Sequence, residues 1–213
     1  MLRIREQYQQ LAVLNNHLEV TVQHRTAKLQ SLIFEDSLTG LPSKMALLYT
    51  LSKHLKIDQS PFALLYLDCD QFKLVNGSFG YDVGNQLLVA IGKRLKTHLR
   101  PDDMLVRTGE DEFCFFLPHT QDMVTVEPFI LALQKSFESS FPLPDCDIFM
   151  TFSIGISLSQ DLKNPFNNRP HERLLQNADT AMYQAKLQGR SRYQLYDKTM
   201  HSAIVDRLLL END

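Results

Sequence analysis

The sequence predicts an α/β domain, with a central mixed sheet flanked by helices, preceded by a coiled-coil-like helix. Three observations predict it. Apolar runs typical of buried strands alternate with segments of helical periodicity; two short strand patterns flank one turn; and residues 1–35 lack glycine and proline while repeating apolar residues in heptads. Alternating strands and helices favour an α/β layer fold, to which a hairpin contributes antiparallel strands.

The N-terminal segment, residues 1–35, is expected to be a helix that pairs with a second copy of the chain as a coiled coil. With Leu11, Leu18 and Leu32 at the d positions of the heptad, the a positions hold Tyr8, Asn15, Val22 and Leu29. A single asparagine at an a position fixes the register of parallel dimers, so a homodimer is predicted. The alternative is a helix packed along its own domain, since Arg25 also falls on the seam.

The first half of the domain is bounded by turn residues. Gly40 and Pro42 within "DSLTGLPSK" break the N-terminal helix, and helical periodicity resumes over residues 45–55. The apolar run "PFALLYLD", residues 61–68, predicts a buried strand that ends on an acid. Residues 83–99 again repeat apolar residues at helical spacing, so a second helix is expected there.

The second half begins with a hairpin. "MLVRT" and "EFCFFLP" flank the turn "GED", and the alternation within the second arm is typical of a strand. A helix over residues 124–139, a strand over 147–158, a helix over 172–188 and a last strand in "SRYQLYD" complete the order. Gly189 supplies the stop signal for the helix before it.

The composition is that of a globular protein and excludes several classes. Of the 213 residues, 44% are hydrophobic and 22% are charged, and the net charge of −3 argues against a nucleic-acid partner. The 3 cysteines are far apart and contain no C-x-x-C pair, so neither a disulfide framework nor a zinc site is indicated. Without a signal-like apolar segment at the N-terminus, a cytoplasmic location is expected, although a longer parent protein could carry a membrane anchor.

Two acidic residues are candidate metal ligands. Asp68 closes the buried strand, and Asp111 lies in the turn of the hairpin, which could pair with that strand in one sheet. Carboxylates at neighbouring strand ends, with Asp70 and Glu112 close by, are the oxygen ligands of a Mg²⁺ ion that bridges phosphates. The alternative is that Asp68 or Asp70 caps the turn that follows, as aspartate commonly does.

Three basic residues could face such phosphates. Lys73 follows the first acid closely, and Lys186 and Arg190 are four residues apart, which would place both on one face of the last helix. Each of them taken alone reads equally as a solvated surface charge with an apolar stem. Their presence together with the acid pair favours a phosphate site.

These motifs together resemble those of GGDEF domains, the diguanylate cyclases and their degenerate relatives. The matching stretches are "DSLTGLPSK" (36–44), "LDCDQFKLVNGSFG" (67–80), "VGNQLL" (83–88), "RTGEDEF" (107–113), "FSIGIS" (152–157) and "ADTAMYQAKLQGRSR" (178–192). They follow the family's order and usual spacing from about residue 34 to residue 197. The resemblance is therefore specific.

The resemblance implies a palm-like nucleotidyl-cyclase fold and the condensation of two GTP to cyclic di-GMP with Mg²⁺ or Mn²⁺. It implies metal ligands at Asp68, the main-chain carbonyl of Cys69 and Asp111, and catalytic roles for Asp111, Glu112 and Lys73. The substrate contacts that it implies are Asn76, Asn85, Gly109, Glu110, Lys186 and Arg190. Because each domain of this family holds one GTP, two domains must face each other, which gives the N-terminal helix a use.

A product-binding site is also implied. Arg100 and Asp103 form R-x-x-D at the family's offset before the signature, where cyclic di-GMP binds and inhibits. A guanidinium can recognise a guanine face, and a carboxylate can accept from its N–H groups. The alternative for this short pattern is a solvated turn after a helix.

Two departures from the family bear on activity. Glu110 stands where the second signature glycine is usual, which would cost about 1 kcal/mol if that position needs a left-handed backbone. Asn85 stands where aspartate is usual, and an amide offers guanine one acceptor where a carboxylate offers two. GTP binding is expected to fall roughly tenfold to a hundredfold for that reason.

Two main functions therefore stay open at the level of sequence, beside a weaker third, a purely structural dimerising domain. One is a diguanylate cyclase, weakened by these changes and restrained by its product. The other is a degenerate domain that senses GTP or cyclic di-GMP and controls an adjoining EAL phosphodiesterase domain. Residues 36–197 are expected to form the GGDEF domain, and residues 198–213 to begin a linker to the EAL domain, because "YDKTMHSAIVDRLLLEND" looks like the run-in found in GGDEF-EAL proteins.

Overall fold

The computed structural model describes residues 16–23, 25, 28, 31–144, 146–162 and 169–200. In chain order the elements are α1 (Lys44–Ile57), β1 (Phe62–Cys69), α2 (Phe72–Phe79), α3 (Tyr81–Lys96), β2 (Met104–Arg107), β3 (Glu112–Pro118), α4 (Met123–Ser136), β4 (Phe141–Pro142), β5 (Asp147–Ile148), β6 (Phe152–Leu158), a 3₁₀ helix (Ser159–Leu162), α5 (Pro170–Leu187) and β7 (Tyr193–Leu195). The predicted α/β class is confirmed.

A mixed five-stranded sheet forms the centre, with strand order β2-β3-β1-β6-β7. Its neighbours are antiparallel except for β6 and β7, which run parallel. Every residue of β1 is buried, as expected of a strand that is central in the sheet and covered on both faces. The register places Asp68 opposite Glu112 on β3 and opposite Ser153 on β6, so the chemistry collects at one end of the sheet.

Side chains that alternate along β1 enter two separate apolar clusters. Leu65 and Leu67 pack with Leu87 and Ile91 of α3 on one face. The opposite face of β1 packs in a second cluster with residues of α1 and α5, for example Leu64 with Leu174. This two-sided burial holds β1 rigidly and so fixes the position of the acid at its end.

Helix α5 packs closely on β6 because of a glycine. A β-carbon at Gly155 would collide with the main-chain oxygen of Ala178 and the main-chain nitrogen of Met182. Only glycine therefore lets the backbone of α5 approach the sheet at this point. The close approach sets the position of Lys186, which α5 carries near its C-terminal end.

Most predicted elements are present within a few residues of their expected bounds, but one helix and the two-residue strand β4 were missed, and one predicted strand was wrong. The missed helix, α2, has only eight residues and begins after Gln71, a left-handed residue without a side-chain cap. The predicted strand over residues 147–158 is two strands, because the chain leaves the ladder near Thr151. There the main-chain oxygen of Thr151 accepts from the Asp70 N–H at 2.9 Å, and β5 pairs with β4 instead.

The N-terminal segment is helical wherever residues 16–34 are described. Its predicted seam residues Leu18, Val22 and Leu32 are 50%, 60% and 69% exposed in the single chain, and so are Val20 (57%) and Ile33 (50%) off the seam. Asn15 and the preceding heptads lie outside the described residues, as does the tail from residue 201. The homodimer and the linker to an EAL domain stay predictions.

None of the helices in the described part of the chain is long and apolar enough to cross a membrane.

Candidate functional site

The two predicted carboxylates meet at the ends of β1 and β3. Asp68 is buried near the end of β1, and the next residue, Cys69, donates its N–H to the main-chain oxygen of Asp111 at 3.1 Å. This hydrogen bond ties the hairpin turn to the end of the central strand. The Cys69 side chain is buried in the core, so only its main chain can serve the site.

The electrostatics of this corner favour a bound cation. Burial raises the pKa of Asp68 to about 6; Lys186 acts to lower it, and the Asp111 carboxylate adds to the rise. Burial also raises the pKa of Asp111, and the neighbouring Glu112 carboxylate contributes in the same direction. Carboxylates that repel one another in a poorly solvated place are stabilised by a dication, and oxygen atoms are the donors that Mg²⁺ prefers. The donor set therefore fits Mg²⁺ or Mn²⁺.

Only two carboxylates of the predicted metal site come together as side chains. In the part of the chain that the structure describes, no group of three or more His, Cys, Asp or Glu side chains could hold a metal ion. The third ligand that the resemblance implies, the main-chain carbonyl of Cys69, is not a side chain, and the metal site stays a prediction.

The three predicted phosphate ligands are placed differently from one another. Asp68, Asp111 and Glu112 together are called the acid corner. Lys186 lies on α5, and its Nζ is 2.6 Å from Asp68 Oδ2, so the ammonium group contacts the acid corner directly. Lys73 is exposed and is the second residue of α2. The prediction that Lys186 and Arg190 share a helix face was wrong: α5 ends at Leu187, and Arg190 lies beyond it with φ of 63°.

Tyr66 is a site residue that sequence reasoning missed. Its hydroxyl donates to Glu112 Oε2 at 2.8 Å, and a β-carbon at Gly109 would collide with the same Glu112 oxygen. Tyr66 thus holds the carboxylate of Glu112 against Gly109. Gly109 lies in the turn between β2 and β3, residues 108–111, which is called the signature loop below. The signal was available, since residues two apart on a strand share a face and Tyr66 precedes Asp68 by two.

The signature loop is anchored to the segment that follows the N-terminal helix. Arg107 Nη1 contacts Asp36 Oδ1 at 3.0 Å, and Arg107 Nη2 donates to the main-chain oxygen of Glu110. Thr39 also donates to Asp36, through its N–H at 2.8 Å and through its hydroxyl at 2.6 Å. Arg107 therefore joins the segment that holds Asp36 to the turn that holds Glu110. The two segments are far apart in sequence, so the sequence alone did not reveal this contact.

Glu110 does not strain the loop. The residue is exposed, and its φ lies outside the left-handed region, so the conformational penalty expected for replacing glycine does not arise. The effect of Glu110 is electrostatic instead, because its carboxylate acts to raise the pKa of Asp111.

The two predicted guanine contacts lie on neighbouring helices. Asn76 is on α2, and a β-carbon at Gly84 of α3 would collide with its Oδ1, so glycine leaves the space that the Asn76 amide fills. Asn85 follows Gly84 directly and borders a cleft of about 380 Å³, whose lining includes Leu38 and Leu143. A larger cleft of about 510 Å³ elsewhere on α5 includes none of the predicted site residues.

The two residues of the predicted product-binding pair, Arg100 and Asp103, form an ion pair with each other, and this contact closes a turn. Asp103 Oδ2 accepts from the Arg100 N–H at 3.0 Å and from Arg100 Nε at 3.1 Å. The Asp103 side chain is 4% exposed, whereas that of Arg100 is 49% exposed. Arg100 is thus the accessible member of the pair, and Asp103 orients it.

The fold and the paired acids define an α/β domain with a corner suited to a cation and phosphates. Comparison with known families identifies it further: the sequence model described as "Diguanylate cyclase, GGDEF domain" matches residues 33–192. The chain belongs to the GGDEF family.

Relatives and solved structures agree with this assignment. The chain is 32% identical to the cyclic di-GMP phosphodiesterase NbdA of Pseudomonas aeruginosa over 203 residues, covering 93% of this chain and 25% of that protein. It is 29% identical to the bifunctional diguanylate cyclase/cyclic di-GMP phosphodiesterase MucR of the same organism, covering 92% of this chain and 28% of that protein. The solved GGDEF domain of YfiN (TpbB), also from P. aeruginosa, is 29% identical with a TM-score of 0.71, and the match covers 80% of this chain and 98% of that one.

The chain thus spans about a quarter of the length of these two curated relatives. Their names describe whole proteins, of which the matched part is one region.

Proposed function

We propose that this GGDEF domain acts in cyclic di-GMP signalling and condenses two GTP to cyclic di-GMP. The observation that carries the proposal is the placement of Asp68 and Asp111 at adjacent strand ends, with Lys186 Nζ 2.6 Å from Asp68. A cation held there and a basic group beside it are what a nucleoside triphosphate requires. The raised pKa values of both acids support the same reading.

Each residue then has a defined task. Asp68, Asp111 and the carbonyl of Cys69 would hold Mg²⁺ or Mn²⁺, which when bound polarises phosphate and lowers the pKa of the attacking 3′-hydroxyl. Lys73, Lys186 and Arg190 would offset the negative charge on the phosphates, and the last two would stabilise departing pyrophosphate. Glu112, fixed by Tyr66, would keep the acid corner in one arrangement.

Two copies of the domain are needed, because a domain that holds one GTP can form only half of the product. The exposed seam of the N-terminal helix would bring them together as a homodimer. An EAL domain beyond the linker that begins at residue 198 would place synthesis beside breakdown in one polypeptide, in keeping with the bifunctional name of one relative.

Activity is tested directly by incubating the nucleotide-free protein with GTP and Mg²⁺ or Mn²⁺ and separating the products by chromatography. Cyclic di-GMP and pyrophosphate in a ratio of one to two are the expected products. A protein that binds GTP without forming either would refute the cyclase.

The second candidate is a regulatory domain that binds GTP or cyclic di-GMP and controls a neighbouring EAL domain. It is favoured by Asn85, which stands where the family usually has aspartate, and by the carboxylate of Glu110, which acts on Asp111. Titration calorimetry separates the two candidates when combined with the assay. Nucleotide binding without turnover selects the regulatory domain.

Gly84→Ala is predicted to weaken GTP binding about tenfold without destabilising the fold. The added methyl group displaces the Asn76 amide and lies 3.2 Å from the buried Phe72 ring. The preference of about 1 kcal/mol for alanine over glycine within a helix offsets the cost of that tight contact. Binding isotherms and thermal unfolding of the same preparations check both halves. Gly92→Ala in the same helix is the matched control, and an equal loss of affinity in that variant would contradict a role for Asn76.

Arg100→Ala is predicted to relieve product inhibition, raising the half-inhibitory concentration of cyclic di-GMP about tenfold or more. The guanidinium is the accessible group of the turn and lies 5.6 Å from the ring centroid of Phe129. Progress curves with added cyclic di-GMP measure the change. Lys96→Ala, which removes an exposed charge nearby in sequence, is the control; unchanged inhibition in Arg100→Ala would locate the product site elsewhere.

A further inference from the structure

The carboxylate of Asp70 is held by three hydrogen bonds. It is 7% exposed and lies just beyond the end of β1. Its Oδ2 accepts from the Thr151 hydroxyl at 2.7 Å, and its Oδ1 accepts from the Ser153 hydroxyl at 2.6 Å. The third donor is the main-chain N–H of Ser191, at 3.0 Å from Oδ2. Asp70 therefore joins the ends of two strands to the loop after α5.

That loop has an unusual backbone. Gly189, Arg190 and Ser191 have φ values of 117°, 63° and 50°, so two consecutive residues with side chains occupy the left-handed region. Such conformations cost free energy for any residue with a β-carbon and persist only where the surroundings impose them. The N–H of Arg190 donates to the main-chain oxygen of Ala185 at 3.1 Å, which fixes the start of the loop.

The other end of the loop is fixed by the sheet. The N–H of Ile154 donates to the main-chain oxygen of Arg192 at 2.9 Å, at the start of the pairing between β6 and β7. Between these two anchors, the N–H of Ser191 donates to Asp70, at the second of the two consecutive left-handed residues, Arg190 and Ser191. A carboxylate suits this task because hydrogen bonds to a charged acceptor are stronger than those to a neutral one.

We propose that Asp70 is a positioning residue of the GTP site: it holds the loop in the left-handed conformation from which Arg190 meets the phosphates. The proposal rests on the proposed function, because the role of Arg190 does. Asp70 contacts no substrate itself, and it acts through Ser191 on the residue before it. This separates Asp70 from Asp68, its neighbour in sequence, whose carboxylate faces Lys186 in the acid corner.

The first test needs no nucleotide. Asp70→Ala is expected to speed hydrogen exchange of the Ser191 amide at least tenfold relative to the wild type, since its acceptor is lost. Ser153→Ala is the matched control, because it removes one buried hydroxyl partner of Asp70 and keeps the bond to Ser191. Asp70→Asn retains an acceptor and should restore much of the protection. Equal exchange of the Ser191 amide in Asp70→Ala and in the wild type would overturn the proposal.

The second test measures GTP affinity with Mg²⁺ in a double-mutant cycle. Asp70→Ala should weaken binding about tenfold, and Asp70→Ala/Arg190→Ala should bind no more weakly than Arg190→Ala alone. A further loss in the double variant would show that Asp70 acts by general destabilisation and would overturn the proposal. If the wild type binds no GTP, the proposed function and the positioning role fall together, while the exchange result still decides whether Asp70 orders the loop.

Discussion

Replacing Asp111 by asparagine is expected to lower the rate of cyclic di-GMP formation roughly a thousandfold, because Asp111 is a proposed ligand of the catalytic cation, and such a ligand stabilises the transition state by several kcal/mol. The substitution keeps the size of the side chain and the main-chain oxygen that accepts from Cys69 N–H. The hairpin turn should therefore stay in place. Chromatography of the products measures the rate, and titration with Mn²⁺ measures the expected loss of metal affinity.

The same substitution should make the metal-free domain more stable at neutral pH. Burial raises the pKa of Asp111 in the folded state, so the fold favours the protonated form. The stability contributed by this group is therefore greatest below the ordinary pKa of aspartate and is lost as the pH rises through the raised value. Asparagine does not ionise, so the variant does not lose this stability as the pH rises. The variant should therefore be more stable than the wild type at pH 7, and the difference should shrink towards pH 4.

Urea unfolding of metal-free protein at the two pH values checks the sign of this effect. Asp147→Asn is the matched control, since Asp147 is an exposed carboxylate on β5, remote in sequence from the signature loop. It should change neither the activity nor the pH dependence. A stability loss in Asp111→Asn at pH 7 would show that Asp111 has a structural task that outweighs its repulsion by Glu112.

The acid corner could be predicted from the sequence because short-range patterns determine it. The apolar run of β1 ends on Asp68, and the hairpin turn holds Asp111, so pairing β1 with β3 is sufficient to bring the two together. The bounds of most elements follow from the same apolar periodicity. Helix α2 did not, because its eight residues are too few to display a period.

The rest of the site depends on contacts between distant parts of the chain. The left-handed conformation of Arg190 is supported by Asp70, which lies 121 positions from its partner Ser191. Asp36 and Arg107 are 71 positions apart, and Tyr66 and Glu112 are 46 apart. The spacing of four residues placed Arg190 on a helix face beside Lys186, although Gly189 already predicted that the helix ends before it; the left-handed conformation of Arg190 is visible only in the tertiary structure.

Asn85→Asp is expected to strengthen GTP binding roughly tenfold to a hundredfold and to raise the preference for GTP over ATP. An ionised carboxylate accepts from both the N1–H and the exocyclic amine of guanine, whereas the amide meets one of those donors with its own N–H₂ group. Asn85 borders a cleft and lies in the same turn of α3 as Gly84, which accommodates the Asn76 amide, so one helix bears on both of the predicted guanine contacts.

The charge of the new carboxylate must be separated from its pairing with guanine. Gln86→Glu adds the same charge one residue further on, at the lining of the same cleft, and is the matched control. The added carboxylate should repel the triphosphate, so this variant should bind neither GTP nor ATP more tightly than the wild type does. Competition between GTP and ATP is measured for both variants in parallel. If Asn85→Asp gains affinity for GTP but not for ATP, and Gln86→Glu gains affinity for neither, position 85 is identified as the guanine contact. Equal behaviour of the two variants would remove Asn85 from the site and place the base elsewhere.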